Sequence, residues 1–332
     1  MDVVRVGILG ASWIAPSAII KPAREVPEVK VNGVAARDRR RAELFARKHG
    51  MNAVFDSYQA LIDASEIDAV YNPLPNSLHC EWTIRALEAG KHVLCEKPIA
   101  CNADEAQRMA DAAKRSGRIL MEAMHYRHHP LANRVRELLL SNAIGKPKHL
   151  ELRNCFPIFR GSDIRYQYAL GGGALMDLGC YSLNFARFLA GEEPEVVAAE
   201  AKRASPNVDR WMQARLQFPS GLTARVTCSL WSKDFLAGDA RILGDAGEIK
   251  VINPNAPHLF HSLEWQADGI KQKERLTGLP TSYCFQLRAF ANAVLRGGPI
   301  VTDANDAVAN MRVIDAIYRR AGLPVRGQSL PA

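Results

Sequence analysis

A chain of 332 residues, 48% hydrophobic and 23% charged, is long enough for two packed domains and too balanced for a disordered or fibrous protein. Lys and Arg exceed Asp and Glu by 43 to 35, a net charge of +8, yet only "RDRRR" (residues 37–41) is dense; a phosphate-bearing small molecule fits that run as well as a nucleic acid does, and no nucleic-acid-binding module is recognisable. No run approaches the ~18 apolar residues of a membrane helix, Asp2 stands where a signal peptide needs a basic region, and the seven cysteines include no C-x-x-C pair, so the expectation is a soluble cytoplasmic protein with reduced thiols, no membrane, no disulfide framework and no metal.

Residues 1–125 alternate apolar strands with amphipathic helices, the pattern of a parallel sheet covered by helices. The first strand, "VVRVGILG", ends on Gly10, and "GILGASWIA" (residues 7–15) opens a helix. This is the place of the dinucleotide fingerprint G-x-G-x-x-G, whose glycines admit a pyrophosphate to the helix N-terminus. Gly10 holds its first position, Ser12 its second and Ala15 its third, so the Ser12 side chain must turn away or donate its hydroxyl. An ordinary strand-to-helix turn fits the same residues. The second strand, "VKVNGVAA", runs on into "AARD". An NAD site places an acid at this strand end for the ribose 2′-hydroxyl, whereas an NADP site removes it and supplies an arginine. Ala36 stands in the acid's place and Arg37 follows, which predicts NADP over NAD. Asp38 is expected to point into the first turn of the next helix, "RRAELFARKHG", which Gly50 stops.

Further along, "EIDAVYNPLP" (66–75) reads as a strand broken by prolines and "HCEWTIRALEAGK" (79–91) as a helix with Gly90 at its C-terminus. "HVLCEKPIA" (92–100) begins as a buried strand and ends on Glu96-Lys97-Pro98, which suits a surface turn or a lysine delivered to the carboxyl edge of a sheet. "NADEAQRMADAAKRSG" follows as a helix N-capped by Asn102, and "RILMEAMHY" completes the series.

After residue 126 the texture changes. "PLANRVRELLLSN" is helical, and then "KHLELRNCF", "EVVAAEAKR", "WMQARLQF", "LTARVTCSLW", "DARILGDAGEIKVI" and "LEWQA" alternate as strands of a mostly antiparallel sheet, with turns at Pro219-Ser220-Gly221 and Asp245-Ala246-Gly247. "ALMDLGCYSLNFARFLAG" interrupts that sheet as a helix, and "YCFQLRAFANAVLRGG" and "DAVANMRVIDAIYRRAG" close the chain. Asp177 and Tyr181 lie four apart and project from one helix face; Gly171-Gly172-Gly173 before them permits a sharp bend or a close backbone approach.

"NPLPNSLHCEWTIRALEAGKHVLCEKP", "GGGALMDLGCYSLNFARF" and "DAVANMRVIDAIYRRAG" resemble the glucose–fructose oxidoreductase / inositol dehydrogenase (Gfo/Idh/MocA) family over nearly the whole chain. Within it the chain looks most like the dihydrodiol dehydrogenase and NADP-dependent D-xylose dehydrogenase branch. The resemblance implies an N-terminal Rossmann domain (1–125) and a C-terminal α+β domain (126–332) whose open, mostly antiparallel sheet binds substrate and joins subunits as a homodimer or homotetramer. It implies hydride exchange at a nicotinamide, with Lys97 beside the nicotinamide and the substrate hydroxyl, and a Lys97–Pro98 bond that is often cis. Many members carry His where this chain has Tyr181; in the branch named, tyrosine is the proposed proton donor, and Lys97 is the neighbour that would lower its pKa from ~10. The cofactor contacts implied are Gly10, Ser12, Trp13, Ile14, Ala36, Arg37, Pro73, Leu74, Asn76, His79, Glu96 and Lys97, with His79 structural rather than catalytic.

The expected activity is NADP-dependent hydride transfer to or from a sugar, cyclic polyol or diol, with Lys97, Asp177 and Tyr181 handling the proton. Reduction of a non-sugar ketone or imine, and NADP binding without turnover, are the alternatives. Substrate preference is assigned to the loops "FPIFRGSDIRYQ" and "SKDFLAG", with Phe156, Phe159, Arg165 and Trp231 facing substrate or packing in the core. His125, His128 and His129 show no metal-ligand pattern, and the H-x-x-H of His258 and His261 falls in a loop where no metal is expected.

Overall fold

The computed structural model describes residues 2–159, 161–267 and 269–329. The chain divides into two compact units, Met1–His128 with Pro280–Val308, and His129–Leu279 with Ala309–Ala332.

In the first unit β1 (Val4–Leu9) leads through a π-helical turn (Pro16–Ile20) into α1 (Lys21–Ala23), then β2 (Val29–Ala35), α2 (Arg39–His49), β3 (Ala53–Phe55), α3 (Tyr58–Asp63), β4 (Ala69–Asn72), α4 (Asn76–Glu88), β5 (His92–Cys95), α5 (Ala103–Ser116) and β6 (Leu120–Glu122). The six strands are parallel in the order β3-β2-β1-β4-β5-β6. The order reverses between β1 and β4, and the carboxyl ends of strands at such a reversal border the ligand crevice of doubly wound folds. All four residues of β4 and three of the four in β5 are buried, as a sheet covered on both faces requires. The helix ends follow local chemistry. Asp38 accepts the Arg41 amide at the start of α2, and Gly50 ends it in the left-handed region at φ 68°. Asn102 accepts the Glu105 amide at the start of α5.

The second unit starts with α6 (Pro130–Leu140) and β7 (Pro147–Cys155). Two short 3₁₀ turns (Ile164–Tyr166, Tyr168–Leu170) and a π-helical turn (Leu175–Gly179) then lead into α7 (Cys180–Ala190). The strands β8 (Glu195–Ser205), β9 (Val208–Gln217), β10 (Thr223–Ser229), β11 (Ala237–Gly244), β12 (Gly247–Ile252), β13 (Ser262–Ala267) and β14 (Ile270–Glu274) follow. With β7 they form one eight-stranded sheet, ordered β14-β13-β12-β11-β7-β10-β9-β8. Every pairing is antiparallel except β7 with β10. The expected architecture, a parallel Rossmann sheet plus an open, mostly antiparallel one, is therefore present.

One face of the larger sheet is apolar: Leu150, Leu152, Ala224, Val226, Ala240, Ile242, Ile249 and Val251 are buried. The alternate residues form a ladder of ion pairs, Arg225 to Glu151 at 3.0 Å, Arg153 to Asp239 at 2.9 Å and Lys250 to Glu248 at 2.8 Å. The chain then continues as α8 (Ser282–Arg296), whose Cys284, Leu287, Phe290 and Ala291 lie in the core of the first unit, and ends with α9 (Ala304–Arg320).

Candidate active site

At the end of β1, Gly10 takes φ +91°, and a Cβ there would come within 3.1 Å of Leu74 and 4.0 Å of the Tyr58 hydroxyl. The Ser12 hydroxyl accepts the Ala15 amide at 3.3 Å, so the serine in the second fingerprint position turns back onto its own helix. Trp13 is 74% exposed, whereas Ile14 packs against the core. At the end of β2, Ala36 is buried and Arg37 is exposed. Burial raises the pKa of Tyr58, partly offset by the nearby Arg37 and Arg41. The carboxyl ends of β1 and β2 and the first turn of α3 thus converge on one edge.

The Glu96-Lys97-Pro98 turn leaves β5 on the same side of the sheet, and the Lys97–Pro98 bond is cis. Tyr71, fully buried on β4, donates its hydroxyl to Glu96 Oε1 at 2.6 Å, and the Lys97 amide donates to Glu96 Oε2 at 3.3 Å. Burial, with Glu96 beside it, holds the Tyr71 phenol well above its ordinary pKa, so it stays a donor. His79 lies between the carbonyls of Pro98 (2.9 Å) and Leu74 (2.7 Å), tying the lysine turn to the Pro73–Leu74 bend. Complete burial pulls its pKa down to about 4, partly offset by those two carbonyls, and the neutral ring has a single N–H, so it donates to one of the two at a time. Asn72 completes the bend: its side chain accepts the Leu74 amide and donates to Thr83 and the His79 carbonyl. Asn76 begins α4.

In the second unit Asp177 lies in the π-helical turn and Tyr181 in the first turn of α7. The expected single α-helix is thus wider at its start, because i→i+5 bonding inserts an extra residue into the turn. Arg165 donates Nε to Asp177 Oδ2 at 2.7 Å and Nη1 to Asp163 Oδ1 at 3.1 Å, a two-carboxylate grip that keeps the guanidinium charged against the cost of burial. Asn154, near the end of β7, donates to the Leu178 carbonyl at 3.0 Å and fastens the turn to the sheet. At that sheet edge Phe159 lies edge-on to Trp231 with ring centres 5.2 Å apart, and Phe235 lies 6.3 Å from Trp231; all three are exposed, as is Phe156. Arg160 of the same segment lies outside the described residues.

The profile "Oxidoreductase family, NAD-binding Rossmann fold" matches residues 4–124, and "GFO/IDH/MocA C-terminal domain" matches residues 132–250. D-xylose 1-dehydrogenase (NADP(+)) 2 of Haloferax volcanii is 36% identical, over 95% of this chain and 96% of its own. The chain belongs to the Gfo/Idh/MocA oxidoreductase family. A Gfo/Idh/MocA relative from Oryctolagus cuniculus, trans-1,2-dihydrobenzene-1,2-diol dehydrogenase, is 32% identical over 76% of this chain and 75% of its own. Among solved structures, a 3-ketoreductase from Actinomadura kijaniata in complex with NADP and TDP-benzene superposes with a TM-score of 0.88 at 30% identity, over 96% of this chain and 98% of that one.

Several residues around these Gfo/Idh/MocA motifs escape sequence reasoning. Tyr71 and Tyr58 had a signal: a tyrosine in the apolar strand "AVYN" needs a partner for its hydroxyl, and Tyr58 follows a strand end. The Arg165–Asp177 pair had none, because its partners lie twelve positions apart across a run of short turns. The histidines find local roles. His125 Nδ1 lies 2.8 Å from Ser282 Oγ, His129 Nδ1 accepts the Leu131 amide at the start of α6, and His261 Nε2 accepts the Leu276 amide. Among the described residues no helix is long and apolar enough to cross a membrane.

Proposed function

We propose that this chain is an NADP-dependent oxidoreductase of sugars, cyclic polyols or diols. The observation that carries the reading is Lys97, held at the carboxyl edge of β5 by the Tyr71–Glu96 bond below it and the His79 brace beside it. A turn fastened in this way fixes where the lysine leaves the sheet, and the surrounding edge fits a dinucleotide. The positive φ of Gly10 leaves room for a pyrophosphate, Ser12 keeps its hydroxyl off that path, and Arg37 stands free of the strand where an acid would disfavour a 2′-phosphate. Gly10, Ser12, Trp13, Ile14, Pro73, Leu74, Asn76 and Glu96 would shape the cradle, with Ala36 and Arg37 at the adenosine end. The bound nicotinamide accepts or supplies a hydride. The chain's own part is proton handling. Lys97 holds the substrate hydroxyl, Tyr181 takes or returns the hydroxyl proton, and Asp177, itself oriented by Arg165, aligns the group. The exposed rings of Phe156, Phe159, Trp231 and Phe235 supply a platform for a substrate with an apolar face, as sugar rings and aromatic diols have. The charged face of the eight-stranded sheet, with paired ions of both signs, is assigned to self-association as a homodimer or homotetramer, and the cytoplasm to the site of action.

A panel of sugars, polyols and diols offered with NADP tests this through absorbance of the reduced cofactor, and absence of turnover on every class would refute it. Arg37→Ala should weaken NADP by roughly 10-fold or more, the loss of a charge-assisted contact, and NAD by far less. An equal loss for both cofactors would assign Arg37 to adenine stacking alone. Sedimentation at micromolar concentration tests the assembly, and a monomer there would remove it.

A further inference from the structure

Arg326, near the C-terminus, is completely buried, and so is its partner Asp209 on β9. All three nitrogens of the guanidinium are used: Nη2 donates to Asp209 Oδ1 at 2.7 Å, Nε to the Gly172 carbonyl at 2.6 Å and Nη1 to the Pro324 carbonyl at 2.7 Å. The Tyr318 hydroxyl on α9 donates to the same Asp209 oxygen at 2.9 Å, and the guanidinium lies over its ring, 4.0 Å from the centre. Tyr168 donates to the Val325 carbonyl at 2.8 Å and holds the tail from the other side. The second oxygen of Asp209 accepts the amide of Leu175 at 2.8 Å, and Leu175 is the first residue of the turn that carries Asp177.

The glycines belong to the same device. A Cβ on Gly173, whose φ is +143°, would fall 2.3 Å from Asp209 Oδ1, 2.6 Å from the Tyr318 hydroxyl and 2.9 Å from Arg326 Nη2; one on Gly172 would fall 2.6 Å from the Arg165 carbonyl. The Gly173 carbonyl in turn accepts the Asp177 amide at 3.0 Å. A buried ion pair is seldom a better stabiliser than apolar packing of the same volume, because both charges must be desolvated. Its effect here is geometric: one carboxylate and one guanidinium set the backbone on both sides of Gly173.

We infer that Arg326 and Asp209 are positioning residues, a clamp through which the C-terminal tail sets the aim of Asp177 and Tyr181. The inference rests on the reading that those two residues handle the substrate proton. Full-length Arg326→Lys and Tyr318→Phe, each assayed well below its unfolding temperature, test it. Arg326→Lys should lower kcat by roughly 10- to 100-fold, the scale of a misplacement near 1 Å, while KM and affinity for NADP stay within about 2-fold. Hydrogen exchange at the Leu175 amide should speed up by about 10-fold or more relative to amides of the β9–β10 ladder. Tyr318→Phe, which keeps the ion pair, should shift kcat and exchange the same way by less. A folded Arg326→Lys with wild-type kcat and wild-type Leu175 exchange would overturn the clamp, and so would a loss confined to NADP affinity. If Arg326→Lys does not fold, Tyr318→Phe decides, and no change in either reading would overturn the clamp. The exchange readout needs no substrate, so a wild-type protein inactive on the whole panel would fail the functional reading and leave the clamp to be judged separately.

Discussion

The two sheets solve opposite problems. The six-stranded sheet is covered on both faces, so β4 and β5 are almost wholly buried and the sheet's candidate chemistry gathers where the strands end, at Gly10, Arg37 and Lys97. The eight-stranded sheet is covered on one face, so its strands alternate, and its candidate chemistry lies on a turn and helix beside it, at Arg165, Asp177 and Tyr181. A strand end is rigid because its sheet is; a turn must be made rigid by added bonds, here those of Arg165, Asn154 and Asp209.

If both regions serve one reaction, the largest effect comes from removing a group from either. Tyr181→Phe and Lys97→Met should each lower turnover by roughly two to four orders of magnitude with NADP affinity nearly unchanged, and the double variant should lose little more than the worse single one. Near-normal turnover in Tyr181→Phe would move the proton role elsewhere. Stability separates the sheets next. Leu94→Ala, inside the doubly covered sheet, should cost about 2–5 kcal/mol in urea unfolding.

Acid probes the brace under Lys97. His79 has a pKa of about 4 in the fold and ~6.5 when unfolded, so below pH 6.5 the unfolded chain takes up the proton first. The stabilisation is present in full above pH ~6.5 and is lost as pH falls toward 4, on the order of 3 kcal/mol in total. A urea midpoint that does not move between pH 7 and pH 4.5, or a slope unchanged in His79→Gln, would contradict this. The smallest effect belongs to the open face: Arg225→Ala, which breaks the exposed pair with Glu151, should stay within about 1 kcal/mol. A cost equal to that of Leu94→Ala would erase the contrast between the sheets.

The same contrast governs what could be read in advance. "VVRVGILG" and "HVLCEKP" stand out because burial on both faces demands unbroken apolar runs, and the helices between them carry their own caps in Asp38, Asn102 and Gly50. The Lys97 turn was legible because proline and two charges cannot continue a buried strand. The strand β14, "IKQKE", was not, since it is an exposed edge strand with no apolar face to set a period. Nor were the π-helical turns at Pro16–Ile20 and Leu175–Gly179, whose extra residue leaves no mark in composition. Arg165–Asp177, Tyr71–Glu96 and Asp209–Arg326 depend on the fold to meet, and no local spacing announces them.

The place of α8 governs the order of assembly during synthesis. Cys284, Leu287, Phe290 and Ala291 fill the core that holds β1 and β2, so the first unit cannot close until synthesis has passed the end of α8. The nascent Rossmann sheet must wait with an apolar flank uncovered while about 150 residues of another unit are made, many seconds at ordinary elongation rates. A fragment cut after residue 128 keeps every strand of that sheet and lacks the helix that seals it. It should emerge as a chaperone client and an aggregation-prone species rather than as a free-standing nucleotide-binding module.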